Sequence, residues 1–178
     1  MQIKKIIFLT GLMVLAAVTL SAQQFKYIGA AKCKMCHNKP TKGEQYNKWK
    51  SAAHSKAYTS LASEKSMAYA KEHGIADPQK DEKCLSCHST AAAVDPSLRA
   101  GIKVEEGVSC ESCHGPGSAY KNMAIMKSRE KSMQNGLILP TKEVCLKCHK
   151  KEGNPFYKPF DFEAAYAKIA HPDPTLQK

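Results

Sequence analysis

Large aliphatic side chains are scarce in this sequence of 178 residues, and alanine, lysine and serine fill much of it. A domain of this size must bury a large apolar surface in order to fold stably. The chain on its own offers too little of that surface. The composition therefore argues against an ordinary aliphatic core and indicates that another group supplies the missing apolar contacts.

The sequence also lacks an apolar run long enough to span a membrane. Its segment Ile6–Leu20 covers about fifteen residues, against the roughly 20 that a membrane-spanning helix needs. A pair of lysines precedes this segment and small residues follow it, which is the pattern of a secretory signal peptide. We predict a signal peptide over residues 1–22, a mature domain over residues 23–178, export to the periplasm or beyond, and no membrane anchor after cleavage. The cleavage site stays open, because Leu20 fits its position poorly.

Acidic residues are few as well. The chain has 16 Asp and Glu against 27 Lys and Arg, so its formal net charge is +11 at pH 7. Such a charge suits nucleic acid or an acidic membrane. The basic residues are scattered, however, and no nucleic-acid-binding motif occurs. We therefore predict no nucleic-acid partner, and we expect the lysines to serve mainly as counter-charges to acidic groups of bound cofactors.

No cysteine lies outside one pattern, Cys-x-x-Cys-His, which occurs four times. The copies are Cys33 to His37, Cys84 to His88, Cys110 to His114 and Cys145 to His149, and their second cysteines are Cys36, Cys87, Cys113 and Cys148. This is the attachment motif of c-type haem. Each thiol adds to one vinyl group of the same porphyrin edge, and the adjacent histidine becomes an iron ligand. Four motifs predict four covalently bound haem c groups.

Two other uses of Cys-x-x-Cys are a disulfide framework and zinc sites. Neither of them requires a histidine directly after every second cysteine. Haem attachment also explains the composition, because four haems would supply the missing core and their propionates would balance most of the lysines. The predicted fold is mainly α, a small multihaem cytochrome in which helices and loops wrap around four haems.

Histidines outside the motifs are candidates for the sixth position of each iron. His54 lies in a predicted helix over residues 41–63 among small residues that let a flat haem approach, and we expect it to be a ligand. His73 and His171 each end a predicted helix, where the helix dipole favours a histidine without any metal. His171 is favoured as a ligand, whereas ligation and a purely structural role stay equally open for His73.

The number of histidines is itself informative. Four irons with two histidines each would need eight, and the chain has 7 His. At least one iron must therefore be ligated by methionine, be five-coordinate, or be completed by another molecule. Met123, Met126 and Met133 lie on a predicted helix over residues 118–133, although methionines at helical spacing usually pack in a core.

Three further elements are predicted from local patterns. Thr41 and Glu44 have the spacing of a capping box at the start of the 41–63 helix. A short strand is expected at residues 102–104. Asp161 is expected to cap a terminal helix that runs to Ala170, just before His171.

The order of these motifs resembles the tetrahaem cytochrome c-554 family. The matching pieces are the four haem motifs, the segment from Trp49 to Ala57, the glycine-flanked segment from Gly107 to Gly117, and the late histidine. The resemblance spans nearly the whole mature chain and implies a mostly helical fold around four closely packed haems that are arranged in stacked pairs. It also implies that His54 completes the iron at His149 and that His171 completes the iron at His114.

The chain departs from this family at one point. The family places a distal histidine for the first haem shortly after Gly-Pro-Gly, where this chain has Tyr120, Met123 and Met126 instead. The sixth ligand of the iron at His37 therefore stays open between a methionine and His73. The resemblance also implies that the haem at His88 can lack a strong protein ligand.

Three functions are compatible with these features. The favoured one is an exported electron carrier that relays electrons between redox partner proteins and has no catalytic residues. The alternatives are a redox enzyme acting on a small molecule, such as a nitrogen oxide, at an open haem, and a subunit of an extracellular cytochrome filament. The odd number of histidines permits a homo-oligomer in which a neighbouring chain supplies the missing ligand.

Overall fold

The computed structural model describes residues 24–176, and the predicted signal peptide over residues 1–22 lies outside them. Ten α-helices follow one another in the described part of the chain: α1 Ala30–His37, α2 Gln45–Ser51, α3 Ala57–Ser60, α4 Glu64–Glu72, α5 Glu82–His88, α6 Cys110–His114, α7 Met123–Met126, α8 Arg129–Gln134, α9 Lys142–Leu146 and α10 Phe162–Ile169. Short 3₁₀ helices cover Pro40–Lys42, His54–Lys56, Pro96–Leu98, Val104–Glu106 and Pro174–Leu176. The mainly α prediction is confirmed. None of these helices, within residues 24–176, is long and apolar enough to cross a membrane.

The apolar core formed by the polypeptide is small. Its buried hydrophobic residues are Ile28, Ala30, Leu61, Ala70, Leu85, Ala91, Ile102 and Tyr120. Several side chains that a protein core rarely contains are buried beside them, including Glu111 at 1% exposure. The helices are short and pack through few large side chains, as the composition of the chain predicts.

The N-terminal segment lies between two other parts of the chain. Tyr27 forms an isolated parallel bridge with Arg99, and Lys26 N donates to Ser118 Oγ at 2.8 Å. The side chains of Glu111 and Glu106 accept hydrogen bonds from the next three backbone amides, those of Ile28, Gly29 and Ala30. The start of α1 is therefore attached to the segment that carries the third haem motif.

The single helix predicted over residues 41–63 is wrong, because the chain breaks it twice. Glu44 stands at the N-cap of α2 with a left-handed φ of 50°, and its side chain accepts no capping hydrogen bond, so the predicted capping box with Thr41 does not form. The helix α2 then ends at Ser51, and its C-cap Ala52 has a ψ of 164°, outside the helical range. The hydroxyl of Ser55 donates to the carbonyls of Lys50 and Ala52. Such local bonds compete with continued helical bonding.

Two other local predictions also differ from the structure. The strand expected at residues 102–104 is wrong, because Val104–Glu106 is a 3₁₀ helix and no neighbouring strand is available for pairing among the described residues. The helix predicted over residues 118–133 is divided into α7 and α8. Asn122 caps the first of these helices and Ser128 caps the second.

The elements around α4 and α10 agree with the sequence predictions. Ser63 caps α4, His73 follows its last residue, and Gly74 has a φ of +67° beyond it. Asp161 caps α10 by accepting from Ala164 N at 3.1 Å. These two helices carry clear local start and stop residues, so their bounds follow from the sequence.

Candidate haem-attachment and iron-ligand sites

Each haem motif lies on or directly after a short helix. The helices α1, α5 and α6 end at His37, His88 and His114 respectively, and α9 ends just before Cys148 and His149. Side chains three residues apart lie on the same helix face, about one turn from each other. The local conformation therefore presents both thiols of a motif to one side, with the histidine beside them.

All eight cysteines are free thiols in the structure. No group of three or more His, Cys, Asp or Glu side chains converges anywhere in residues 24–176. A structural zinc site needs four such ligands in a tetrahedral arrangement. The donor set thus fits covalent attachment of a porphyrin better than a disulfide framework or zinc.

Cysteines of different motifs lie next to one another. A hydrogen bond from the Cys110 thiol is the main cause that lowers the pKa of Cys33. Burial raises the pKa of the Cys148 thiol to about 12, and the neighbouring Cys87 thiol adds to this shift. Burial likewise raises the pKa of Cys113, with a smaller contribution from Cys145. The thiols of the first and third motifs, of the third and fourth, and of the fourth and second are therefore close enough to affect each other's pKa, and α1 also packs against α6.

Two pairs of histidine rings face each other. The ring centres of His54 and His149 are 6.0 Å apart with an interplanar angle of 73°. Those of His114 and His171 are also 6.0 Å apart, with an angle of 74°. These are the two pairs that the family resemblance implies.

The distance between the ring centres of each pair can be compared with the distance expected when two imidazoles bind one metal ion. An imidazole nitrogen binds a metal at about 2.0 Å and lies about 1.1 Å from its ring centre, so two imidazoles on opposite sides of one metal have centres about 6.2 Å apart. The observed 6.0 Å separations match this distance. The spacing of the two pairs thus suits an iron bound between them, and this spacing does not depend on the motif.

The protonation of the paired histidines suits ligation as well. Burial lowers the pKa of His54, with a further contribution from the charge of His149. Burial also lowers the pKa of His114, and the charge of His171 acts in the same direction. Burial lowers the pKa of His149 too. Each of these shifts favours the neutral imidazole, and only the neutral form offers a lone pair to a metal.

Neighbouring groups orient several of these rings. Phe160 stacks on His149 with ring centres 4.5 Å apart. His171 Nδ1 donates to the carbonyl of Ile169 at 2.7 Å. His88 Nδ1 donates to the carbonyl of Ala57 at 2.8 Å. A bond at Nδ1 sets the tautomer and leaves Nε2 available, which is the usual arrangement of a metal-binding histidine.

The remaining candidates are not brought together in this way. His73 stacks on Tyr69 at 3.9 Å, and its Nδ1 donates to the Tyr69 carbonyl at 2.9 Å. Met123 begins α7 with 65% of its surface exposed, and Met126 is half-buried at the other end of that helix. His37 and His88 belong to neither histidine pair. The structure thus leaves the sixth ligand of the iron at His37 among the alternatives named above.

Sequence reasoning did not identify the residues that position His54. Its carbonyl accepts from Val108 N at 2.9 Å, and Trp49 Nε1 donates to the Val108 carbonyl at 2.8 Å. Gly107, whose φ is +70°, lies against the carbonyl oxygen of His54. The glycine before the third motif was visible in the sequence, but its contact with His54 arises only from the tertiary fold.

The chain is similar to known proteins over most of its length. The sequence profile of the family described as "Cytochrome c554 and c-prime" matches residues 32–115. Cytochrome c-554 of Nitrosomonas europaea is 31% identical over 189 aligned positions, which span 88% of this chain and 76% of that protein. The solved structure of the reduced state of that cytochrome superposes with a TM-score of 0.53 at 28% identity, and it covers 83% of this chain and 79% of the other.

The extent of these matches establishes the relationship over most of the described chain and not only at one motif. The family relationship implies that the chain binds haem c covalently and takes part in electron transfer. The fold, the thiol pattern and the similarity to known proteins lead to one conclusion: the chain belongs to the cytochrome c-554 family of c-type cytochromes.

Proposed function

We propose that the protein is an exported tetrahaem electron carrier. The observation that supports this most strongly is the adjacency of the haem-attachment thiols of different motifs. Bound haem supplies one-electron transfer at its iron, and the protein tunes the potential of each iron over a range that can reach about 0.8 V. Attachment sites that adjoin one another keep the four centres close enough for electrons to hop between them.

The positions of the haem-attachment sites give an order in which electrons can pass through the molecule. We number the haem sites 1 to 4 by the chain order of their motifs. Site 1 adjoins site 3 through Cys33 and Cys110, and site 4 adjoins site 2 through Cys148 and Cys87. Sites 3 and 4 adjoin through Cys113 and Cys145. The sites then form one line, 1–3–4–2, whose two ends are the points of entry and exit for electrons.

The residues have separate roles in this proposal. The eight motif cysteines attach the cofactors, and the four motif histidines ligate the irons from one side. His54 and His171 ligate sites 4 and 3 from the other side, as their distances from His149 and His114 support. The partners are other redox proteins.

The relay is tested by counting electrons. We expect the oxidised protein to accept four one-electron equivalents per chain and to return all four to a soluble one-electron acceptor. Intact mass spectrometry on the same sample should show the processed chain plus four haem masses. Fewer haems would contradict the cofactor count. Retained electrons, or sustained turnover when a nitrogen oxide is the sole acceptor, would favour the enzyme instead.

A second prediction concerns site 1. We propose that Met123 or Met126 completes the iron at His37, because α7 follows the third motif at the point where the family has its distal histidine. Thioether ligation raises the potential relative to two histidines. One haem should therefore titrate well above the others and show the weak long-wavelength band of ferric His/Met haem. Replacing the ligating methionine with alanine should abolish the band and lower that potential.

Two further variants separate the alternatives at site 1. Met133→Ala is the matched control, because Met133 is 50% exposed on the neighbouring helix α8 and should leave the band unchanged. His73→Ala should also have no effect. If His73→Ala gives a high-spin signal and the spectra of both methionine variants are unchanged, His73 is the sixth ligand of the iron at His37 and thioether ligation is refuted.

A further inference from the structure

Two carboxylates meet at the start of α1. Glu111 lies inside the third haem motif, between Cys110 and Cys113, and is 1% exposed. Its carboxylate accepts from Ile28 N at 2.9 Å, from Gly29 N at 2.8 Å and from Gly117 N at 2.7 Å. Glu106 accepts from the following amide, Ala30 N, at 2.8 Å. We call Glu106 and Glu111 the carboxylate clamp.

The partners of the clamp favour the charged form of Glu111. Each of its three hydrogen-bonding partners is a backbone N–H donor, so the ionised carboxylate is satisfied and a protonated one would place a hydrogen against a donor. Burial is the largest influence on Glu111 and leaves its pKa raised overall, the charge of Glu106 adds a smaller rise, and the three backbone bonds oppose both by lowering the pKa. Bonds from several backbone amides are the arrangement that most favours an ionised carboxylate.

No cation neutralises the clamp in the described part of the chain. The ion pairs found between residues 24 and 176 are Lys42–Asp173 and Lys80–Asp77, and neither includes a clamp residue. A negative charge that is buried without a counter-ion acts over a longer range than an exposed one, because water screens it less.

The clamp lies between the attachment points of two haems. Its two residues hold the first turn of α1, which leads to Cys33 and His37, and Glu111 is adjacent to Cys110. The largest influence on the pKa of the Cys33 thiol is the hydrogen bond from Cys110, which lowers it. Burial and the charges of Glu111 and Glu106 raise that pKa by smaller amounts. The field of the clamp therefore reaches the sulfur atoms at which sites 1 and 3 bind haem.

We infer that Glu111 and Glu106 are positioning residues that hold the first haem motif against the third and lower the reduction potentials of the haems at these two sites. This inference rests on the proposed attachment of haem at all four motifs. Fixed negative charge stabilises the ferric state, which carries one more positive charge than the ferrous state. Sites 1 and 3 form one end of the line 1–3–4–2, so the clamp makes that end the more reducing one.

The experiment compares Glu111→Gln and Glu106→Gln with the control Glu105→Gln. Glu105 is exposed and adjacent to Glu106, so its variant removes the same charge without removing a clamp bond. For each protein, mass spectrometry first verifies the number of haems, which tests attachment separately. A spectroelectrochemical titration, with EPR to distinguish the irons, then gives the four potentials.

Each clamp variant should raise the potentials of the haems at Cys33 and Cys110 and leave the other two unchanged. Coulomb's law for a unit charge about 10 Å from a centre, at an effective dielectric constant of about 20, gives roughly a tenfold change in an equilibrium. For a one-electron couple a tenfold change is about 59 mV. Glu105→Gln should shift no potential measurably.

Other outcomes would overturn the inference. Unchanged potentials in a correctly folded variant would reduce the clamp to a structural role, and an equal rise at all four haems would remove its assignment to sites 1 and 3. If Glu111→Gln fails to mature, Glu106→Gln decides alone, because it removes only one backbone bond to α1 and the charge with it. A loss of haem in the mass spectrum would instead count against the proposed attachment.

Discussion

His54→Ala is expected to convert one of the four proposed haems to a high-spin state without loss of any haem. The imidazole whose ring centre lies 6.0 Å from that of His149 would be absent, so the iron at His149 would lose its sixth ligand. Cys145, Cys148 and His149 would still hold that haem. The absorption and EPR spectra should gain a high-spin component from a single site, and carbon monoxide should bind to that site.

Matched variants make this result specific. Lys56→Ala changes an exposed residue of the same 3₁₀ helix and should leave the spectra unaltered. His171→Ala should produce the same signal at the iron of His114, whose ring it faces at 6.0 Å. The double variant should then show two high-spin haems. An unchanged spectrum for His54→Ala would mean that His54 does not bind iron.

Gly107→Ala is expected to have a comparable effect although it changes no ligand. Gly107 has a φ of +70° and a ψ of −139°, a conformation that residues with a Cβ avoid. A Cβ at this position would lie 2.8 Å from the carbonyl oxygen of His54 and 3.2 Å from the amide nitrogen of Ala57. Because both contacts are backbone atoms, the segment that carries His54 would have to move.

The cost of this change has two parts. Strained backbone costs about 1–3 kcal/mol, and overpacking costs a further amount of about 1–3 kcal/mol. We therefore expect a lower melting temperature together with a partial high-spin signal from the iron of His149. Both are measured on the purified holoprotein.

The control for Gly107→Ala is Gly153→Ala. Gly153 has the same φ of +70°, but a Cβ there meets nothing within 4 Å. This control should lose some stability through backbone strain and keep a wild-type spectrum. High-spin haem in both variants would mean that general destabilisation, and not the displacement of His54, is the cause.

Local chemistry explains why the haem motifs could be predicted from the sequence. The two thiols and the histidine of a motif must lie within about one helical turn of each other, so their spacing is written in the chain. The cap of α10 is equally local, and Asp161 was sufficient to place the start of that helix. The mainly α fold followed from the same kind of evidence.

The helix predicted over residues 41–63 shows where local patterns fail. Its apolar spacing and its apparent capping box favour a continuous helix. The chain nevertheless turns at Gly43, where a Cβ would meet the carbonyl oxygen of Pro172 at 2.6 Å, and it breaks again at Ala52. A contact with the other end of the protein overrides the local preference, and no periodicity within the segment records that contact.

The sequence by itself predicted the covalent chemistry of this protein: the cofactor, the cysteines that attach it and the histidine beside each pair. No local pattern shows which distant groups meet; the family resemblance implied the two histidine pairs, and the tertiary structure decided them. It placed His54 opposite His149 and His171 opposite His114, and it buried Glu111 under the amides that begin α1. The reason is that attachment requires residues within one turn, whereas a distal ligand or a buried charge requires a position in space that many segments of the chain can supply.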